Sequence, residues 1–75
     1  MFGMKNEIRR QTALIIRRNG EYLVGRQIFD GPLRWSRDKY DAYRTRDREK
    51  ARRIARITGG VVMLFNPIIG EVRVL

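Results

Sequence analysis

The chain predicts an α+β fold, a single small domain in which one helix packs on one face of an antiparallel sheet of four to five strands. Three observations carry the prediction. Asn19-Gly20 stands between two apolar, β-branched runs; a helix-period segment runs from Thr45 to Gly59-Gly60; and two strand-like runs, Val61 to Phe65 and Glu71 to Leu75, follow it. With a short third strand over Leu33 to Ser36 the order reads β-β-(β)-α-β-β, and strands grouped on either side of one helix build a single sheet with one covering layer. Seventy-five residues allow one domain and exclude a second.

Residues 1–11 are polar and basic with little periodicity, and are expected to form an arm that orders only against a partner, leaving 12–75 as the domain. Asn-Gly is the preferred pair for a type I′ hairpin turn, because both central residues take positive φ. A two-residue loop then pairs Arg18 with Glu21, Ile16 with Leu23 and Leu14 with Gly25 on one face. Arg17 with Tyr22, Ile15 with Val24 and Ala13 with Arg26 fall on the other. Both faces are partly apolar, which suits either the middle of a sheet or a face that meets a second subunit. Ile15, Tyr22 and Val24 are therefore candidate interface residues of a homodimer.

Asp30-Gly31-Pro32 signals a turn before the short edge strand, and Ser36 to Arg44 reads as either a loop or one or two loose helical turns. Thr45 is the expected helix cap, Asp47 and Glu49 suit the positive N-terminal end, and Gly59-Gly60 supplies a left-handed stop. Ala51, Ile54, Ala55 and Thr58 then share the face that packs on the sheet. Val61 to Phe65 is a buried-type strand. Asn66-Pro67 opens a turn that Gly70 closes, and Val72 and Val74 alternate with Glu71 and Arg73 as in a half-buried edge strand.

A chain of this size buries only about 60% of its unfolded surface, so its core is small. The sequence contains neither cysteine nor histidine, which removes disulfides and most transition-metal chemistry and leaves oligomerisation as the common route to added stability. The longest apolar run, Val61 to Phe65, is far short of a membrane span, and no apolar leader-like stretch opens the chain. A soluble, cytoplasmic protein with no membrane partner is expected.

Charge is the strongest functional signal. The net charge is +9, and residues 33–56 hold ten cations against four acids, a balance of +6 in one third of the chain. Such a surface attracts nucleic acid, an anionic membrane surface or an acidic protein, and charge alone does not choose among them. Arginines number fourteen against three lysines. Selection for planar, two-pronged phosphate contacts explains that ratio, and so does a GC-rich genome. Arg48, Arg52 and Arg56 form one i, i+4 row on the expected helix beside Arg53, and like charges at that spacing repel. Before the helix, Arg34, Arg37, Lys39, Arg44 and Arg46 interleave with Trp35, Tyr40 and Tyr43, as in platforms where unpaired bases stack and cations hold phosphates. Two plainer readings stand beside these: an ordinary exposed face in an arginine-rich chain, and aromatic rings, Trp35 among them, that fill the core.

No nucleophile has a base placed beside it by sequence. Asp30, Asp38 and Asp41 have the chemistry to hold Mg²⁺, and Asp47-Arg48-Glu49-Lys50 superficially follows the acid-x-lysine pattern of metal-dependent nucleases. That pattern belongs on strands, whereas these residues open a helix, where capping explains them. The expectation is a binding module without enzymatic activity, metal or cofactor.

Leu33-Arg34-Trp35-Ser36, Tyr40-Asp41-Ala42-Tyr43-Arg44-Thr45, Ala51 with Ala55, Gly59-Gly60 and Phe65-Asn66-Pro67 together resemble small proteins of bacterial prophages and related mobile elements. The resemblance covers about half the chain, Leu33 to Gly70. It implies a bacterial or phage cytoplasmic setting and a binding role against DNA or a host protein, with no known activity attached.

Overall fold

The computed structural model describes residues 11–25 and 32–75. Nearly all of the expected arm, with Arg26, Asp30 and Gly31, lies outside the described residues. The elements are strands β1 (Ala13–Arg18), β2 (Glu21–Val24) and β3 (Arg34–Ser36), a 3₁₀ turn (Lys39–Asp41), helix α1 (Arg48–Thr58), and strands β4 (Val61–Asn66) and β5 (Glu71–Val74). The strands form one antiparallel sheet in the order β3-β2-β1-β4-β5, with α1 lying over β1 and β4. The α+β class and the element order therefore match the expectation.

Local chemistry sets the ends of these elements. Asn19 (φ 53°) and Gly20 (φ 77°) both take positive φ, as a type I′ turn requires. At the start of α1 the expected cap is corrected by two residues. Asp47, not Thr45, caps the helix: its Oδ1 accepts from the backbone N–H groups of Glu49 (3.0 Å) and Lys50 (3.2 Å). Thr45 Oγ1 instead accepts from the N–H of Asp47 at 3.2 Å and so orients the cap. A carboxylate satisfies two orphan donors and also meets the positive end of the helix dipole, which a hydroxyl does less well. Gly59 ends the helix in the left-handed region at φ 74°.

The hairpin keeps its expected register but pairs over a shorter length. Arg17 pairs with Tyr22 and Arg18 with Glu21, but beyond these β1 and β2 diverge and take a third partner between them. Leu14 exchanges two backbone hydrogen bonds with Thr45 (2.8 and 3.1 Å), while the N–H of Tyr43 donates to the carbonyl of Leu23 at 2.8 Å. Val24 and Ala42 form a bridge on the same side. Both bridges are antiparallel, and β1 and β2 run in opposite directions, so the segment Ala42 to Thr45 reverses inside the fork.

This wedge explains how a strand apolar on both sides is buried when α1 covers one of them. On the α1 side, Leu14, Ile16 and Leu23 pack with Ala51, Ile54 and Ala55, flanked by Trp35, Tyr43, Val62 and Leu64. On the other side, Ile15, Met63 and Phe65 pack beneath Ala42, flanked by Tyr22 and Val72. The second face is thus covered by the chain itself. Val74 and Val61, at 74% and 57% exposure, lie on that face beyond the cover, so β5 is more open than the half-buried strand expected and β4, expected to be buried, is exposed at its first residue.

At Gly70 the positive φ of 66° favours glycine, and the Tyr40 hydroxyl, 2.9 Å from where a Cβ would stand, would have to shift for any other residue. In the same turn, the buried Asn66 accepts from the N–H groups of Ile68 (2.9 Å) and Ile69 (3.4 Å) through its Oδ1. Among the described residues no helix is long and apolar enough to cross a membrane. In denaturant unfolding, Asp47→Ala is expected to cost about 1 kcal/mol, as for a lost N-cap, and Thr45→Ala to cost less through its hydroxyl.

Candidate cationic interface

The structure divides the cations into two groups. The first is built into the fold. Arg18 reaches from the end of β1 to the last turn of α1, where its Nη1 donates to the Thr58 carbonyl at 2.7 Å. Its guanidinium carbon lies 4.1 Å from the centre of the Trp35 ring. One side chain thereby fastens β1, β3 and the negative end of the helix dipole. Lys39 donates to the carbonyl of Gly70, and the Tyr40 ring meets Phe65 edge-on at 5.4 Å. Arg44 donates to the Tyr40 carbonyl at 3.3 Å and lies 5.2 Å from the Phe65 ring centre. Lys50 sits 5.6 Å from the Tyr43 ring centre. Hydrogen bonding to the Tyr43 hydroxyl is the main reason its ammonium titrates above the usual lysine range, with Asp47 adding in the same sense.

The second group is exposed. Arg34, Arg37, Arg46, Arg48, Arg52, Arg53 and Arg56 all lie at the surface, and among the described residues none has an ion pair or side-chain hydrogen bond. The ion pair seen among the described residues, Arg73 with Glu71 at 2.9 Å, is elsewhere, on β5. Burial of Ala51, Ile54, Ala55 and Thr58 leaves Arg48, Arg52, Arg53 and Arg56 with Glu49 on the outside of α1. Arg46 stands just ahead of them. It lines with Arg48, Leu14 and Leu64 a cleft of about 240 Å³ beside the helix start.

The expected site is therefore not one surface. The helix row comes together as read from spacing. Arg34 does not join it: Trp35 turns toward α1, so its neighbour in β3 turns to the opposite face, at the sheet edge. Arg37 follows β3 at that same edge. Lys39 and Arg44 are spent on internal contacts. Trp35 is half-buried against the core and covered by Arg18, and Tyr40, half exposed, packs on Phe65. Among the interface candidates, Ile15 is wholly enclosed by Ala42, Met63 and Phe65, which leaves it no surface to offer a second subunit. Tyr22 and Val24 are half-buried.

Sequence reading misses Arg18, because nothing in Arg17-Arg18-Asn19-Gly20 tells which arginine reaches a helix end forty residues away. Arg46, expected with the aromatic loop, stands instead beside Arg48 at the helix start. Of the carboxylates weighed as metal ligands, Asp38 caps the 3₁₀ turn by accepting from the N–H of Tyr40 at 2.9 Å, and Asp41 accepts from Ser36 Oγ at 3.2 Å. Asp30 lies outside the described residues. Among the described residues no three potential metal-ligating groups gather.

Comparison with known proteins finds no counterpart: no family model, curated protein or solved structure matches the chain. The resemblance to prophage proteins gains nothing from it. Arg18→Met, which keeps the apolar stem and removes the donors, is expected to lower stability by about 1.5–3 kcal/mol. It should also shift Trp35 emission to longer wavelength; an unchanged spectrum would show that the guanidinium does not cover the ring.

Proposed function

We propose that this protein is a small, non-enzymatic binding module that holds nucleic acid through the outer face of α1. The observation that carries the reading is the set of arginines at 46, 48, 52, 53 and 56, exposed together and without ion-pair partners among the described residues. Arginines that serve the fold here find a carbonyl or an aromatic ring, as Arg18 and Arg44 do. The helix row instead carries the cost of like charges one turn apart, and a polyanion removes that cost. Guanidinium groups also match phosphate oxygens in two-pronged geometry. The cytoplasmic, phage-related setting implied by the resemblance is compatible with this role.

A second reading is a homodimer. Its support is the apolar strip at Val61 and Val74, exposed on the sheet face opposite α1. It replaces Ile15 with residues that do reach the surface, and a monomer by light scattering at high micromolar concentration would remove it.

The primary reading has a quantitative test. If the four arginines of α1 each displace one counterion, affinity for a DNA duplex falls on the order of 100-fold between 50 and 200 mM salt. Replacing Arg48, Arg52 and Arg56 by glutamine should reduce the salt slope by about 0.9 per residue, with the circular dichroism spectrum unchanged. Replacing Arg34 and Arg37 at the far sheet edge should leave the slope as it was. Binding that ignores salt, or a slope lost through Arg34 and Arg37, contradicts the proposal.

A further inference from the structure

We infer that the α1 face engages a nucleic-acid duplex through its phosphates, not an unpaired strand through its bases. The inference rests on the reading above and specifies the class of partner. A protein that binds single strands combines cations with aromatic rings whose open faces take up the bases, and each stacked base is worth roughly 1–3 kcal/mol. Among the described residues the rings and the free cations have parted company. Trp35 has Arg18 over it and the core beside it, and Tyr43 packs on the core with Lys50 near its ring. Tyr40 is committed edge-on to Phe65, and its hydroxyl sits over Gly70. Tyr22 is half-buried against the second core, with Arg17 6.0 Å from its ring centre.

Stacking a base on Trp35 would require Arg18 to give up both its ring contact and its bond to Thr58. The exposed residues of α1 itself are Arg48, Glu49, Lys50, Arg52, Arg53, Arg56 and Ile57, with no ring among them.

What the face does offer is spacing. Arg48, Arg52 and Arg56 step along a rigid helix at about 6 Å per interval and drift about 40° around its axis at each step. Sites fixed in this way suit a partner whose own charges are fixed. A duplex presents phosphates at about 3.4 Å of axial rise per strand on a stiff scaffold. A single strand would have to be ordered to match them, without stacking to offset the cost.

The test measures fluorescence anisotropy of one labelled 16-nucleotide sequence as DNA duplex, as RNA duplex and as each single strand, at 50 and 200 mM salt, with Trp35 emission followed in parallel. At the lower salt the DNA duplex is expected to bind at least tenfold more tightly than either DNA strand, with Trp35 emission unchanged. An RNA duplex that binds within a few-fold of the DNA duplex also supports the inference, since phosphate geometry is then what is read. Single strands that bind as tightly as the duplex, with Trp35 quenched, overturn it while leaving the cationic face intact. No binding to any of the four at the lower salt overturns the nucleic-acid reading itself.

Discussion

The short segment Ala42 to Thr45, inserted between the diverging ends of β1 and β2, is the constraint on which the rest of the structure depends. A buried β1 is apolar on both sides, and among the described residues one helix, α1, packs on it. The wedge answers with main chain. It satisfies backbone groups of Leu14 and Leu23 that separated strands would leave unpaired. It also places Ala42 in one core and Tyr43 in the other. Fixing each of these residues costs about 1–2 kcal/mol of backbone entropy, which the hydrogen bonds and the burial on both faces offset.

From the wedge the positions of the cations follow. The 3₁₀ turn just before it is held across the second face by Lys39, Tyr40 and Arg44, so basic residues that look like a free loop are drawn inward. The residues just after it lead directly into α1, whose small alanines at 51 and 55 sit fully or almost fully buried against the sheet. The arginines left outside are those for which the fold has no use. Their self-repulsion is a standing cost at the surface, small per pair but repeated along the row.

Arg18 and Asp47 show how the ends of α1 are held by opposite charges. Asp47 takes the N-terminal donors and Arg18 the C-terminal carbonyl, in the sense that the helix dipole favours at each end. With Trp35 beneath the guanidinium, the same contact ties the edge strand β3 to the helix. A ring that composition presents as a stacking surface thus becomes part of the packing.

The sequence alone determined the elements whose causes are local. The Asn19-Gly20 turn, the buried stripe Ala51-Ile54-Ala55-Thr58, the Gly59 stop and the exposed row Arg48-Arg52-Arg56 all rest on positive φ or on helical spacing, and these depend only on neighbouring residues. Tertiary structure decided the rest. The divergence of β1 from β2, the enclosure of Ile15, the cover on Trp35 and the separation of Arg34 and Arg37 from the helix arginines depend on contacts between residues far apart in the chain. A run of arginines reads the same whether a side chain meets a carbonyl or water, and only the folded chain brings the carbonyl to Arg18 and leaves Arg52 in solvent.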